Sequence, residues 1–237
     1  MILKKIKLPN RDLELDYLLA GSGSIGMPMP PDACVPFNIF PRKRFDTVDF
    51  ENVTFLCGSS STEKNLLLRI IASKMGCVGL PYGISERCLE GYLELCCVVR
   101  NEGAEDAKPP IQLITKEQIY EFIKEGYSSI ATDRCWSVLD LYDKEITSGS
   151  LCFIEEPEMG MSLSEQEQFA NLIYDFAHSS GNQFVITTNS PLIMGIPRAV
   201  IYDFDRDVVI PETWYNSRTA KEYKRQYEKI KAQHRMN

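Results

Sequence analysis

The feature that most limits how this chain can fold is a set of short apolar runs, each stopping abruptly at polar residues. Leu151-Cys-Phe-Ile154 carries no charge and runs straight into Glu155, Glu156, Pro157 and Glu158. Gln183-Phe-Val-Ile-Thr-Thr188 ends in Asn189-Ser190-Pro191, and Ala199-Val-Ile-Tyr202 ends in Asp203. Runs of this kind suit buried strands. Between the first two lies a helical period from about 164 to 178, with Phe169, Leu172, Ile173 and Phe176 on one face and Gly181 as its stop. Strand, helix, strand, each strand ending in polar groups, predicts a parallel α/β sheet whose working edge lies at the strand C-termini. Carboxylates set against the end of a buried strand cost desolvation unless positive charge faces them.

A candidate for that positive charge sits further upstream. Val53-Thr-Phe-Leu-Cys57 reads as an apolar strand and Leu66 to Ala72 as a helix. Between them stand Gly58, Ser59, Ser60, Ser61, Thr62, Glu63, Lys64 and Asn65. Strand, polar loop, lysine, helix is the layout of a phosphate-binding loop. Backbone N–H groups and the helix N-terminus hold the phosphates, and the lysine reaches the outer ones. Lys64 follows Gly58 at the register of G-x-x-x-x-G-K-[ST]. Three positions depart from that pattern. Glu63 replaces the glycine before the lysine, putting a carboxylate where a phosphate should come close. Asn65 replaces the magnesium-binding hydroxyl, and Ser61 replaces another usual glycine.

Taken together these segments resemble the ABC-type P-loop ATPases, in particular small bacterial AAA-family ATPases of the RecF/SMC kind. Glu155-Glu156-Pro157-Glu158 looks like their Walker B segment, Val185 to Pro191 like the switch strand, and Ile201-Tyr-Asp-Phe-Asp205 like the strand after it. The resemblance implies an α/β P-loop NTPase fold with a mostly parallel central sheet flanked by helices and a small antiparallel or helical arm. It implies a single domain over residues 1–237, with the arm at roughly 77–135 and a C-terminal helix at roughly 217–236. It also implies ATP and magnesium as cofactors: residues 58–65 around the phosphates, Lys64 on the outer ones, and Asn65 and Glu155 at the metal. Glu156 matches the water-polarising glutamate. Asn189 stands where a histidine usually senses the γ-phosphate. A signature turn that contacts nucleotide across a dimer is expected near Asp133-Arg-Cys-Trp136, but its Gly-Glu is absent. Ser128, Ser129 or Asp133 are substitutes there, and Gln112 and Gln118 are candidates for the Q-loop glutamine. Two outcomes stay open: an ATPase with relaxed motifs that pairs with a second copy or another protein, or a pseudo-ATPase serving as a binding or regulatory module.

Elsewhere the chain is less informative. Residues 1–19 read as a strand and turn, and 20–36 as a loop rich in glycine and proline. The spacing Gly21-x-Gly-x-x-Gly26 runs into prolines and cannot open a dinucleotide-binding helix. Tyr92 to Val99 reads as a strand. Thr115-Lys-Glu-Gln118 reads as a capping box before a short helix. The segment 217–236 is a charged helix with Tyr223, Tyr227 and Ile230 on one stripe and a local excess of base. Eight cysteines without a CxxC pair read as reduced core residues of a cytoplasmic protein. A net charge of -7 gives no indication of nucleic-acid binding, and no run approaches membrane-span length.

Overall fold

The computed structural model describes residues 1–22, 35–59, 61–77, 86–101, 108–128 and 137–235. The central sheet has six strands: β3 (Val53–Cys57), β5 (Ile111–Ile114), β6 (Leu151–Glu155), β7 (Gln183–Thr187), β8 (Val200–Asp203) and β9 (Pro211–Glu212). Their order is β5-β6-β7-β3-β8-β9, and every pairing is parallel except that of β9 with β8. A second sheet, antiparallel, joins β1 (Leu3–Lys7) to β2 (Thr47–Asp49) and β4 (Cys97–Arg100). The fold is therefore mixed α/β, with a mostly parallel sheet between helices and a small antiparallel sheet beside it.

The strands are apolar throughout because both faces of the sheet are covered. Side chains alternate between two cores. Leu56, Phe153, Val185 and Tyr202 enter one, built with helices α2 (Ser61–Lys74) and α3 (Glu86–Leu95) and the antiparallel sheet. Phe55, Cys57, Ile154, Ile186 and Ile201 enter the other, built with α4 (Lys116–Ser128), α5 (Leu139–Glu145) and α6 (Leu163–Ser179). Gln183 clamps the two sheets together. Its wholly buried amide accepts from the Ile2 and Leu3 N–H groups and donates to the Leu3 and Glu51 carbonyls. All four partners are backbone groups, which need hydrogen-bond partners wherever water is excluded.

Several boundaries follow the expected chemistry. Thr115 and Gln118 form the capping box of α4 in both directions. Gly181, at φ +70, ends the chain's turn out of α6. Three readings need correction. Residues 11–22 form helix α1 (Arg11–Ser22) rather than part of a strand and turn, because Asn10 caps it by accepting the Leu13 N–H. Most of 92–99 is helical: α3 runs to Leu95, and only Cys97–Arg100 joins a sheet, since that is the stretch that meets β1 edge to edge. The polar loop after β3 is also shorter than expected. Helix α2 begins at Ser61, so Glu63, Lys64 and Asn65 lie in its first turns. Ser60 and the segment 129–136, which holds the expected signature turn, lie outside the described residues, as does most of the G-x-G-x-x-G stretch.

Candidate functional site

Parallel pairing brings four strand ends to one edge. β3 lies between β7 and β8, and β6 lies on the far side of β7. Gly58, Glu156, Asn189 and Asp205, each just past one of these strands, therefore meet around the start of α2. Gly58 has φ +139, and a Cβ there would come within 3.2 Å of Phe204 Cβ and 3.3 Å of the Asp205 nitrogen. Only glycine fits this backbone without displacing the turn after β8.

Lys64 is 0% exposed, and its ammonium stands 3.3 Å from Glu156 Oε1. The pair lacks hydrogen-bond alignment, so Lys64 Nζ is buried and donates to nothing within the described residues. The Asn65 Nδ2 donates to the same Glu156 oxygen at 3.3 Å, while the Asn65 Oδ1 is buried without a donor among the described residues. Glu156 holds this position from a left-handed backbone, φ +44. A side-chain-bearing residue pays roughly 1–2 kcal/mol for that conformation, and such outliers concentrate at functional sites. The surrounding chain enforces it: Glu156 N–H donates to the Thr187 carbonyl at 2.8 Å, and Pro157 follows.

The other expected residues sit differently. Glu155 is wholly buried, and both its oxygens are taken by Arg69, at 2.5 Å from Nε and 2.7 Å from the terminal nitrogen. The Lys116 N–H adds a third contact at 3.3 Å. The hydrogen bonds to Glu155 push the Arg69 pKa above its ordinary value. The acid expected to face magnesium is here the counter-ion of an arginine. Glu63 does not close on Lys64 but lies 3.6 Å from Lys43 Nζ. Asn189 uses its Oδ1 to accept the Gly58 N–H at 3.1 Å. Glu158 accepts from Thr188 Oγ1 and the Asn189 N–H, both at 2.8 Å, and so fixes the loop after β7. Gln112 and Gln118 are engaged elsewhere, Gln112 with the Glu145 carbonyl and Thr147 N–H, and Gln118 as a cap.

Three contributors escaped the sequence reading: Arg69, Lys43 and Asp205. Arg69 left a signal, a lone charge inside Leu66-Leu-Leu-Arg-Ile-Ile71. A charge enclosed by apolar neighbours must find a buried partner. Cys57, at the end of β3, is no nucleophile: burial first, then the nearby Asp203 carboxylate, push its thiol up to about 12. Among the described residues no three His, Cys, Asp or Glu side chains are grouped to hold a metal ion, and no helix is long and apolar enough to cross a membrane.

No family pattern matches the chain, and no curated protein does. Among solved structures, an SMC head domain from Thermotoga maritima aligns over 90% of this chain and 99% of that one, at 11% identity and a TM-score of 0.44. A likeness that loose carries no argument, so the fold rests on the strand order and the site on its own geometry.

Proposed function

We infer that the crevice around residues 58–65 binds the triphosphate of a nucleotide together with magnesium, in the manner of a P-loop ATPase, with hydrolysis slow or lost. The observation that carries this reading is the Lys64 ammonium. It is fully enclosed at the first turn of a helix, faces one carboxylate at 3.3 Å and, among the described residues, donates no hydrogen bond. A buried cation so poorly satisfied is costly. A phosphate oxygen at the helix N-terminus would accept its protons and meet the positive end of the helix dipole.

The residues present fit magnesium in part. Asn65 Oδ1 is a buried acceptor without a donor among the described residues, and the Nδ2 of the same amide faces the Glu156 carboxylate. A hard cation takes such oxygens. Magnesium held there would supply positive charge to balance that of the phosphates. Lys64 would hold the outer phosphate, and Glu156 would orient water and accept its proton. Asn189 would steady the loop through Gly58. Slow turnover follows from the same geometry. Glu156 shares one oxygen between Lys64 and Asn65, so that oxygen is not free to take up a water. Glu155 is committed to Arg69, and Glu63 adds a negative charge at the loop.

The alternative is a pseudo-ATPase, the same fold acting as a binding or regulatory module. Glu63 bears on the choice. A Glu63–Lys64 pair filling the hollow would favour the alternative, whereas the Glu63–Lys43 approach supports nucleotide entry. Thermal unfolding with magnesium-ATP tests the reading. A ligand of the native state alone raises the midpoint, so wild type should shift and Lys64→Ala should not. An equal shift in both would remove Lys64 from the site.

A further inference from the structure

The loop after β3 already holds an oxyanion of the chain's own. Ser59 directs both its backbone N–H and its hydroxyl to one atom, Asp205 Oδ1, at 2.8 and 2.6 Å. One residue earlier the Gly58 N–H is held by Asn189 Oδ1. N–H groups of a strand-to-helix loop are the donors that an anion's oxygens seek. Asp205 is carried by the turn after β8, the strand paired beside β3. That turn is rigidly set. The Asp205 N–H donates to Asp203 Oδ1 at 2.9 Å, and the Phe204 carbonyl accepts from Lys43 at 2.7 Å. Burial raises the Asp205 pKa, but the Ser59 hydrogen bonds and the charges of Arg218 and Lys43 outweigh it and leave it below the ordinary value. The side chain is a carboxylate at neutral pH.

We propose that Asp205 is a resident competitor for phosphate: its carboxylate occupies the Ser59 donors and must leave before a nucleotide phosphate can take them. This rests on the phosphate-loop reading above. It makes Asp205 the residue that sets how strongly the loop selects for a multiply charged anion, since a weak anion cannot displace an intramolecular one. The exit is short. Asp205 is only half-buried, so its carboxylate can turn to water. Arg218, the first residue of α7 (Arg218–Arg235), supplies positive charge on that side. Loading the loop with phosphate therefore changes what the first turn of the C-terminal helix faces.

The test uses the full chain, magnesium tripolyphosphate as the probe, and two variants. Asp205→Ala removes the acceptor, and Asp205→Asn keeps an acceptor without its charge. Two readouts apply: hydrogen exchange of the Ser59 amide without ligand, and calorimetric titration of tripolyphosphate. Asp205→Ala should speed Ser59 exchange at least tenfold and tighten tripolyphosphate binding about tenfold, equivalent to ~1.4 kcal/mol. Asp205→Asn should leave the amide protected and tighten binding by less. Unchanged Ser59 exchange in Asp205→Ala would overturn the contact. A freed amide with binding no tighter than wild type would overturn the competition while leaving the phosphate reading standing. If neither wild type nor either variant binds tripolyphosphate, both ideas fall together.

Discussion

Arg69 and Glu155 offer the sharpest energetic test of how the strand ends around α2 are held together. Glu155 is 0% exposed and Arg69 8%. Two oxygens meet two guanidinium nitrogens at 2.5 and 2.7 Å, the bidentate geometry in which such pairs are strongest. Replacing Arg69 with methionine keeps the length and the apolar stem but strips the carboxylate of its counter-charge. Among the described residues only the Lys116 N–H at 3.3 Å would remain to it. Leaving a buried charge uncompensated costs about 3–5 kcal/mol, a large part of the ~5–15 kcal/mol that holds a domain folded. The second arm, Arg69 to Glu117 at 2.9 Å, adds little, because Glu117 is partly exposed and such pairs are worth about 0–1 kcal/mol. Adding Glu155→Gln to Arg69→Met removes the stranded charge and should recover at least half of the loss. Urea unfolding with matched m-values measures both variants. If Arg69→Met costs less than ~1 kcal/mol, or if the double variant is no more stable than the single, Glu155 is not the buried ionic partner described here.

Two further predictions concern other acids. Glu14 is buried in α1, with one oxygen accepting the Asn38 N–H at 2.6 Å and the other without a partner among the described residues. Burial lifts its pKa from 4.5 to about 7 against that hydrogen bond. The folded chain thus keeps a proton that the unfolded chain releases above pH 4.5, so this group opposes folding progressively as pH rises from about 4.5 to 7. Glu14→Gln should be more stable than wild type at pH 8 by roughly 2–3 kcal/mol, with the gap shrinking as pH falls and closed by about pH 4. A pH-independent gap would refute the assignment. Glu156→Gln should retain magnesium-ATP and abolish whatever slow phosphate release wild type shows; unaltered release would exclude Glu156 from the chemistry.

The central strands were legible because a strand buried on both faces is apolar end to end, and polar residues mark where it leaves the core. That is why 53–57, 151–155 and 183–187 stand where their apolar runs stand. Helix α1 is hidden in the sequence because its apolar residues Leu13, Leu15, Tyr17 and Leu18 follow no clean helical period, whereas the cap at Asn10 marks its start. In the site, Lys64 and Glu156 meet through a parallel pairing that the sequence pattern implied. What the pattern could not carry was the ownership of each charge. Glu155 belongs to Arg69, Glu63 lies by Lys43, and the Ser59 amide belongs to Asp205. Those partnerships depend on which side chains cross between neighbouring strand ends, and sequence spacing does not report that.

The most direct measurement is a crystal structure of the chain with magnesium and a non-hydrolysable ATP analogue. The account predicts a terminal phosphate oxygen within hydrogen-bond distance of Lys64 Nζ, with the Asp205 carboxylate turned away from Ser59. A nucleotide bound elsewhere, or a crevice that keeps its Lys64–Glu156 and Ser59–Asp205 contacts at saturating ligand, would contradict it.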